Sequence, residues 1–300
     1  MICMRLMSGL GNQMFQYALG RRLANEQGTD LVLDATHYAY VPKRAIHYVA
    51  RTYDLDVFNI NARLLDPDRE GWLPCYVDTY THHFKHAVKR AFNLYKHIDG
   101  YQVVEGANPF ALDDRVFASG RNSYLIGYWQ NEKYFKPIEA QIRNDFVFKN
   151  RFDIRIEDLA EEMAGTHSVC LNVRRGDFVT NQLNGFSGVD YIYQALDRIH
   201  TAIDLEKVYV FSDEIDWCRE NLQFNVPHFF VSHDFAGSKF SSYLHLMTKC
   251  RHFIIPNSTF GWWAAWLSKN PQKIVIAPKR WLSVPNVDTS GIIPEGWITI

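Results

Sequence analysis

Short apolar runs recur along the chain, each followed by a polar loop and a stretch with helical spacing. At the front, residues 2–7 are an apolar run, Ser8-Gly9-Leu10-Gly11-Asn12-Gln13 reads as a loop, and residues 14–26 read as a helix. Residues 29–34 (TDLVLD) then read as a buried strand. Strand, glycine loop, helix and strand in that order open an α/β domain. From about 36 to 120 the pattern weakens, with aromatic segments between Pro, Asp and Asn, and a helix is expected over 79–95. A strand over 124–129 and a helix over 132–146 follow.

The second half alternates more regularly. Strands are expected over 168–174, 207–211, 228–231, 252–255 and 273–277, and helices over 189–201, 213–221, 240–249 and 259–267. Such alternation predicts doubly wound parallel sheets. Charged and polar residues cluster over 144–155, which sets the expected domains at 1–150 and 151–300. Ligands in such folds bind at the carboxyl ends of strands, so the loops there hold the candidate chemistry.

Composition narrows the function classes. The chain has 300 residues, 47% of them hydrophobic and 22% charged, enough apolar surface to exclude disorder. A net charge of −1 excludes a whole-chain nucleic-acid or anionic-membrane binder but not a local anion site. Cys3, Cys75, Cys170, Cys218 and Cys250 are odd in number, widely spaced and without a CxxC, as expected of buried thiols in a reducing compartment. The start is not a signal peptide and no stretch approaches about 18 apolar residues. The expectation is a cytoplasmic, bacterial protein.

Three strand-end loops stand out. Asn172-Val173-Arg174-Arg175-Gly176-Asp177 offers two planar guanidinium groups suited to a phosphate or pyrophosphate. Pro256-Asn257-Ser258-Thr259-Phe260-Gly261 joins a strand to a helix, where capping side chains, free N–H groups and the helix dipole favour an anion. Gly9-Leu10-Gly11-Asn12-Gln13 is a weak, incomplete dinucleotide fingerprint whose glycines admit close approach of a ligand. Trp262 and Trp263 read as core. Asp54-Leu55-Asp56, Asp66-Pro67-Asp68 and His82-His83 with His86 resemble metal motifs but lack strand-end placement or a third ligand, so no metal site is expected. Neither GxSxG nor a P-loop occurs.

These loops together resemble glycosyltransferase family 11, the α-1,2-fucosyltransferases, especially the bacterial members. The resemblance rests on residues 9–18 (GLGNQMFQYA), 31–34, 127–130 with Tyr134-Phe135, 173–177 (VRRGD), Asp190-Tyr191, 250–266 with NSTFGWWAAW, and 276–281, so it covers nearly the whole chain. It implies a GT-B-like architecture, two Rossmann-type domains facing a cleft, with the second binding GDP-β-L-fucose. It implies inverting transfer to the 2-hydroxyl of a terminal galactose without metal or cofactor. The acceptor would be a galactose-terminated oligosaccharide, lipid-linked acceptors and peripheral membrane contact included, and no nucleic acid. Arg174 becomes the main phosphate ligand with Arg175 in support, and Asn257, Ser258, Thr259 and Phe260 form the helix-end cradle. Gly11, Asn12 and Gln13 would reach the donor from the first domain. Asp177 is the nearest carboxylate for the acceptor proton, or else orients an arginine. Two positions depart from the family: Asn172 stands where the motif usually begins with His, and Tyr243 where most relatives carry Asp. Both approach the guanine in related enzymes, so base recognition here falls to Ser212, Asp213 or main-chain atoms. Acceptor recognition is expected around Tyr38, Tyr40 and Trp129. The rival readings are an α-1,6 or α-1,3 linkage, or a non-catalytic glycan or nucleotide binder of the same fold.

Overall fold

The computed structural model describes residues 1–39, 51–66, 97–98, 101–180, 185–284 and 287–300. The helix expected over 79–95, the His82, His83 and His86 group, Asp68 and Tyr40 lie outside these residues. The chain divides into two units, Met1–Val147 and Phe148–Ile300.

The first unit contains β1 (Ile2–Arg5), α1 (Leu10–Gln27), β2 (Leu31–Asp34), β3 (Arg63–Leu64), β4 (His97–Ile98), β5 (Tyr101–Glu105), β6 (Ser123–Ile126) and α2 (Glu139–Asp145). Its sheet runs β3-β2-β1-β6-β5-β4, with every pair parallel except β4 with β5. Helix α1 starts four residues earlier than the pattern suggests. Gly9 sits extended at its N-cap, and the N–H groups of Asn12 and Gln13 already bond the Gly9 carbonyl at 2.9 and 3.1 Å. Gly11, Asn12 and Gln13 are therefore the first helical turn, not a loop. Residues 132–146 are two 3₁₀ turns followed by α2 rather than one helix. Pro137 lacks the N–H an uninterrupted helix would use there.

The second unit contains α3 (Ile154–Gly165), β7 (Ser168–Val173), α4 (Gly176–Thr180), α5 (Val189–His200), β8 (Lys207–Ser212), α6 (Ile215–Asn221), β9 (His228–Phe230), α7 (Ser241–Lys249), β10 (His252–Ile254), α8 (Thr259–Leu267), β11 (Val275–Ala277) and β12 (Ile298–Thr299). Helix α3 was not among the expected elements. Asp153 caps it by accepting the Ile156 N–H, and Ile156, Leu159, Ala160 and Met163 bury one stripe.

All strands of the second sheet are parallel, in the order β9-β8-β7-β10-β11-β12. Numbered from β7, that order is 3-2-1-4-5-6, the Rossmann arrangement. Val169, Leu171 and Val173 alternate onto one face, where Tyr191, Ile192, Ala195 and Ile199 of α5 and Ile215 and Cys218 of α6 cover them. Each aliphatic side chain fully buried there contributes about 1.5–3 kcal/mol. The other face carries Phe211 edge-on to Tyr243 of α7, and Tyr209, whose hydroxyl donates to Glu162 of α3. The sheet is thus doubly wound, and two Rossmann-type α/β units in one chain match the fold class expected. The chain leaves β7 toward β8 and later returns on the other side as β10, so a crevice opens between their carboxyl ends.

Candidate active site

Strands β7 and β10 pair in register, Leu171 with Ile254. The chain therefore delivers Arg174-Arg175 and Asn257-Ser258-Thr259 to neighbouring strand ends at the crevice, although more than 80 residues separate them in sequence. Hydrophobic burial of the strands fixes this placement; the polar loops follow from it.

One carboxylate organises the arginine pair. Asp213, at the end of β8, accepts the Arg175 main-chain N–H at 3.0 Å with one oxygen and contacts Arg174 Nη1 at 2.9 Å with the other. The Arg175 guanidinium pairs with Glu214 and lies 4.5 Å over the Trp217 ring. The Arg174 guanidinium lies 5.2 Å over the Phe178 ring. Both arginine side chains keep about a quarter of their surface exposed, 25% and 27%. They are held in place yet open to an anion. Gly176 makes this possible, since a Cβ there would stand 2.5 Å from Asp213 Oδ2.

Across the crevice, α8 begins at Thr259 after an extended Ser258 whose side chain makes no capping bond. Ser258, Thr259 and Phe260 are half-buried. The first N–H groups of a helix have no partner within it and point outward from its amino end. Asn257 is buried and donates to the carbonyls of Trp281 at 3.1 Å and Gly185 at 3.4 Å, so it shapes the turn. Asn172 donates to the Phe211 carbonyl at 3.2 Å, and its Oδ1 would meet a Cβ on Gly261 at 2.6 Å. It sets how closely α8 approaches β7. Tyr191 donates to the carbonyls of both Ile255 and Ile276, tying the turn to β11. Its burial raises its hydroxyl far above the ordinary range.

The sequence model of Glycosyl transferase family 11 matches residues 1–300. The chain belongs to that family. An Alpha-1,2-colitosyltransferase of Escherichia coli is 28% identical over 99% of this chain and 97% of its own length. The O-antigen biosynthesis glycosyltransferase WbnK of Escherichia coli is 24% identical over 98% and 99%. A Galactoside alpha-(1,2)-fucosyltransferase 1 of Aotus azarae is 24% identical over 86% of this chain and 63% of its own length.

In this family 11 chain, Asn172, Arg174, Arg175, Asp213, Asn257, Ser258, Thr259 and Phe260 come together at one edge of the second unit. Asp213 faces the arginines rather than a base, and Ser212 is buried, its hydroxyl accepting the Glu214 N–H at 2.9 Å. Tyr243 is buried too, its hydroxyl donating to the Val231 carbonyl at 2.6 Å. Asp177 is the second residue of α4; its side chain lies outside what is described. The expectations missed Glu214 and Trp217. Their signal was an acidic pair ending β8 opposite an arginine pair ending the neighbouring β7.

The first unit's motif does different work in its parts. Gln13 is fully buried and donates to the carbonyls of Ser8 and Thr52 while accepting the Asp54 N–H, so its amide is consumed. Asn12 is half-buried, donating to Ser8 Oγ at 3.0 Å and accepting from Gln130 at 2.5 Å. Gln16 joins the ends of β1 and β6, accepting the Met7 N–H and donating to the Gly127 carbonyl, each at 3.0 Å. Trp129 is 1% exposed, packed on Tyr134 and close over Gly106 and Gly127, and is no surface for an acceptor sugar. Tyr38 is half-buried and bonds the Ser8 carbonyl. The exposed ring at this strand end is Tyr128.

Trp262 and Trp263 are core. The four described cysteines are buried free thiols, and burial pushes Cys218 up to about 11. Among the described residues no His, Cys, Asp and Glu group is placed to hold a metal, and no helix is long and apolar enough to cross a membrane.

Proposed function

We propose that this family 11 glycosyltransferase moves L-fucose from GDP-β-L-fucose to the 2-hydroxyl of a terminal galactose, with inversion. The observation that carries the reading is the pair of guanidinium groups at the end of β7 set beside the amino end of α8. Breaking the bond from sugar to phosphate leaves charge on the pyrophosphate as an oxocarbenium-like sugar forms. Arg174 neutralises that charge, and the α8 N–H groups bond the phosphate oxygens. Arg175, fastened by Glu214 and Trp217, supports Arg174. We assign the acceptor proton to Asp177, because inversion needs a base and this carboxylate follows the arginine pair. The α-1,2 linkage is supported by names of relatives on both sides, a colitosyltransferase and a galactoside fucosyltransferase.

A second donor is favoured by one of those relatives. Colitose is fucose without its 3-hydroxyl, and the relative named for it matches nearly end to end. Offering GDP-fucose and GDP-colitose separately, each with lactose, and determining the product linkage by NMR, tests both. Fucosyl transfer to the galactose 2-hydroxyl upholds the proposal. Transfer of colitose alone moves the assignment to the second donor, and stoichiometric binding without GDP release overturns both.

A further inference from the structure

Resting on the nucleotide-sugar reading above, we propose that Phe240 and His233 form the seat of the donor's base, Phe240 as the stacking face and His233 as a hydrogen-bond partner. The two side chains first expected to read the base are occupied, as Asp213 holds the arginines and Ser212 Oγ accepts from Glu214, while Tyr243, at the position where most relatives carry Asp, is buried.

Beside them the chain does something unusual. Lys239 and Phe240 are consecutive non-glycine residues in the left-handed region, with φ 54° and 57°, just after Gly237 at 69°. Bulky residues avoid that conformation, and sites that hold it cluster where ligands bind. The result is that the Phe240 ring, a large apolar group, is 49% exposed at the start of α7. It stands edge-on to the exposed His233 at 6.4 Å between ring centroids, with buried Tyr243 behind both at 5.9 Å from each. His233 Nε2 lies 2.9 Å from the Ser212 carbonyl and must carry the proton there. In the neutral ring Nδ1 is then an acceptor, suited to an N–H on a base edge.

A chain of bonds joins this ring pair to the proposed phosphate clamp. His233 holds Ser212, Ser212 holds Glu214, and Glu214 holds Arg175. The pair lies at the carboxyl ends of β8 and β9, one and two strands from β7, a distance of about 5–10 Å. That is the side on which a nucleoside extends when its phosphates sit at a Rossmann switch point, and a ribose spans the gap.

The test is calorimetric binding of GDP, ADP, UDP and inorganic pyrophosphate to the full chain, wild type and the variants Phe240→Ala, Phe240→Trp and His233→Ala, each checked for an unchanged melting profile. Stacking of this kind predicts a roughly 5- to 100-fold loss of GDP affinity in Phe240→Ala. Phe240→Trp stays near wild type, His233→Ala weakens GDP, and pyrophosphate binding is the same in all. If Phe240→Ala binds GDP like wild type, or loses pyrophosphate and GDP equally, the proposal is overturned. If wild type prefers another nucleoside diphosphate and that binding depends on Phe240, the base seat stands and the GDP donor falls. If wild type binds none of the nucleotides, both fall.

Discussion

Asp213 Oδ2 lies 2.9 Å from Arg174 Nη1 while the same carboxylate accepts the Arg175 N–H. The arginine proposed to face the leaving phosphate is therefore positioned by a residue that follows the neighbouring strand. Replacing Asp213 by Asn keeps an acceptor for the N–H but removes the charge that orients Arg174. The expected result is a fall of roughly 10-fold in kcat/KM, since a misplaced electrostatic group loses much of its effect. Steady-state kinetics at varied donor concentration, with melting temperature measured in parallel, separates this from unfolding.

Gly176 is required by the same carboxylate. A methyl group 2.5 Å from Asp213 Oδ2 must displace it, so Gly176→Ala should destabilise by about 1–3 kcal/mol and loosen the arginine pair. In an Asp213→Ala background most of that cost should vanish. Denaturant unfolding of the two single variants and the double variant measures the coupling.

Gln13 and Asn12 are neighbours with unequal roles. Gln13→Ala leaves two carbonyls and one N–H without their partner in a buried place, and should cost about 2–4 kcal/mol of stability. Asn12→Ala removes two partly buried bonds and should cost about 1 kcal/mol. Equal melting temperatures for the two variants would contradict this.

The second unit should lose stability as pH falls below about 6.5. Burial, helped by His167 and Arg251, lowers the titration of His252, whose Nδ1 accepts the Ile274 N–H at 3.1 Å. Burial and Lys249 likewise lower His245, against the opposing pull of Glu157. With folded values below the unfolded ones, the unfolded chain binds more protons in this window. The stabilisation is complete above the unfolded value and is lost as pH drops through 6.5 toward the folded values. Thermal melts between pH 8 and 5 should show the decline, and His252→Asn, which keeps an acceptor, should flatten it.

Much of the second unit was legible because its central strands are buried on both faces and read as short apolar runs, such as residues 169–171 and 208–211. The arginine pair and the helix-end turn were legible because each follows such a run. Helix α3 was missed because its charged, polar lead-in looked like a boundary, although Asp153 and the Ile156–Met163 spacing mark it. The start of α1 was missed because its N-cap is Gly9, which has no side chain to make the capping bond that marks a helix start in sequence. Trp129 was misjudged because an aromatic at a strand end looks available, and only packing against Tyr134, Gly106 and Gly127 shows that it is not. The work of Asp213 was hidden because it depends on a contact between strands β7 and β8 across 39 residues.

The most direct test is transfer from labelled GDP-fucose to lactose by wild type, Arg174→Ala and Asp54→Ala, the last a half-buried control in the first unit whose carboxylate accepts from Thr52. A 2-linked fucosyl product is expected from wild type and from Asp54→Ala. Arg174→Ala should lose at least about 100-fold in rate while remaining folded. Undiminished turnover by Arg174→Ala, or equal losses in both variants, would contradict the proposal.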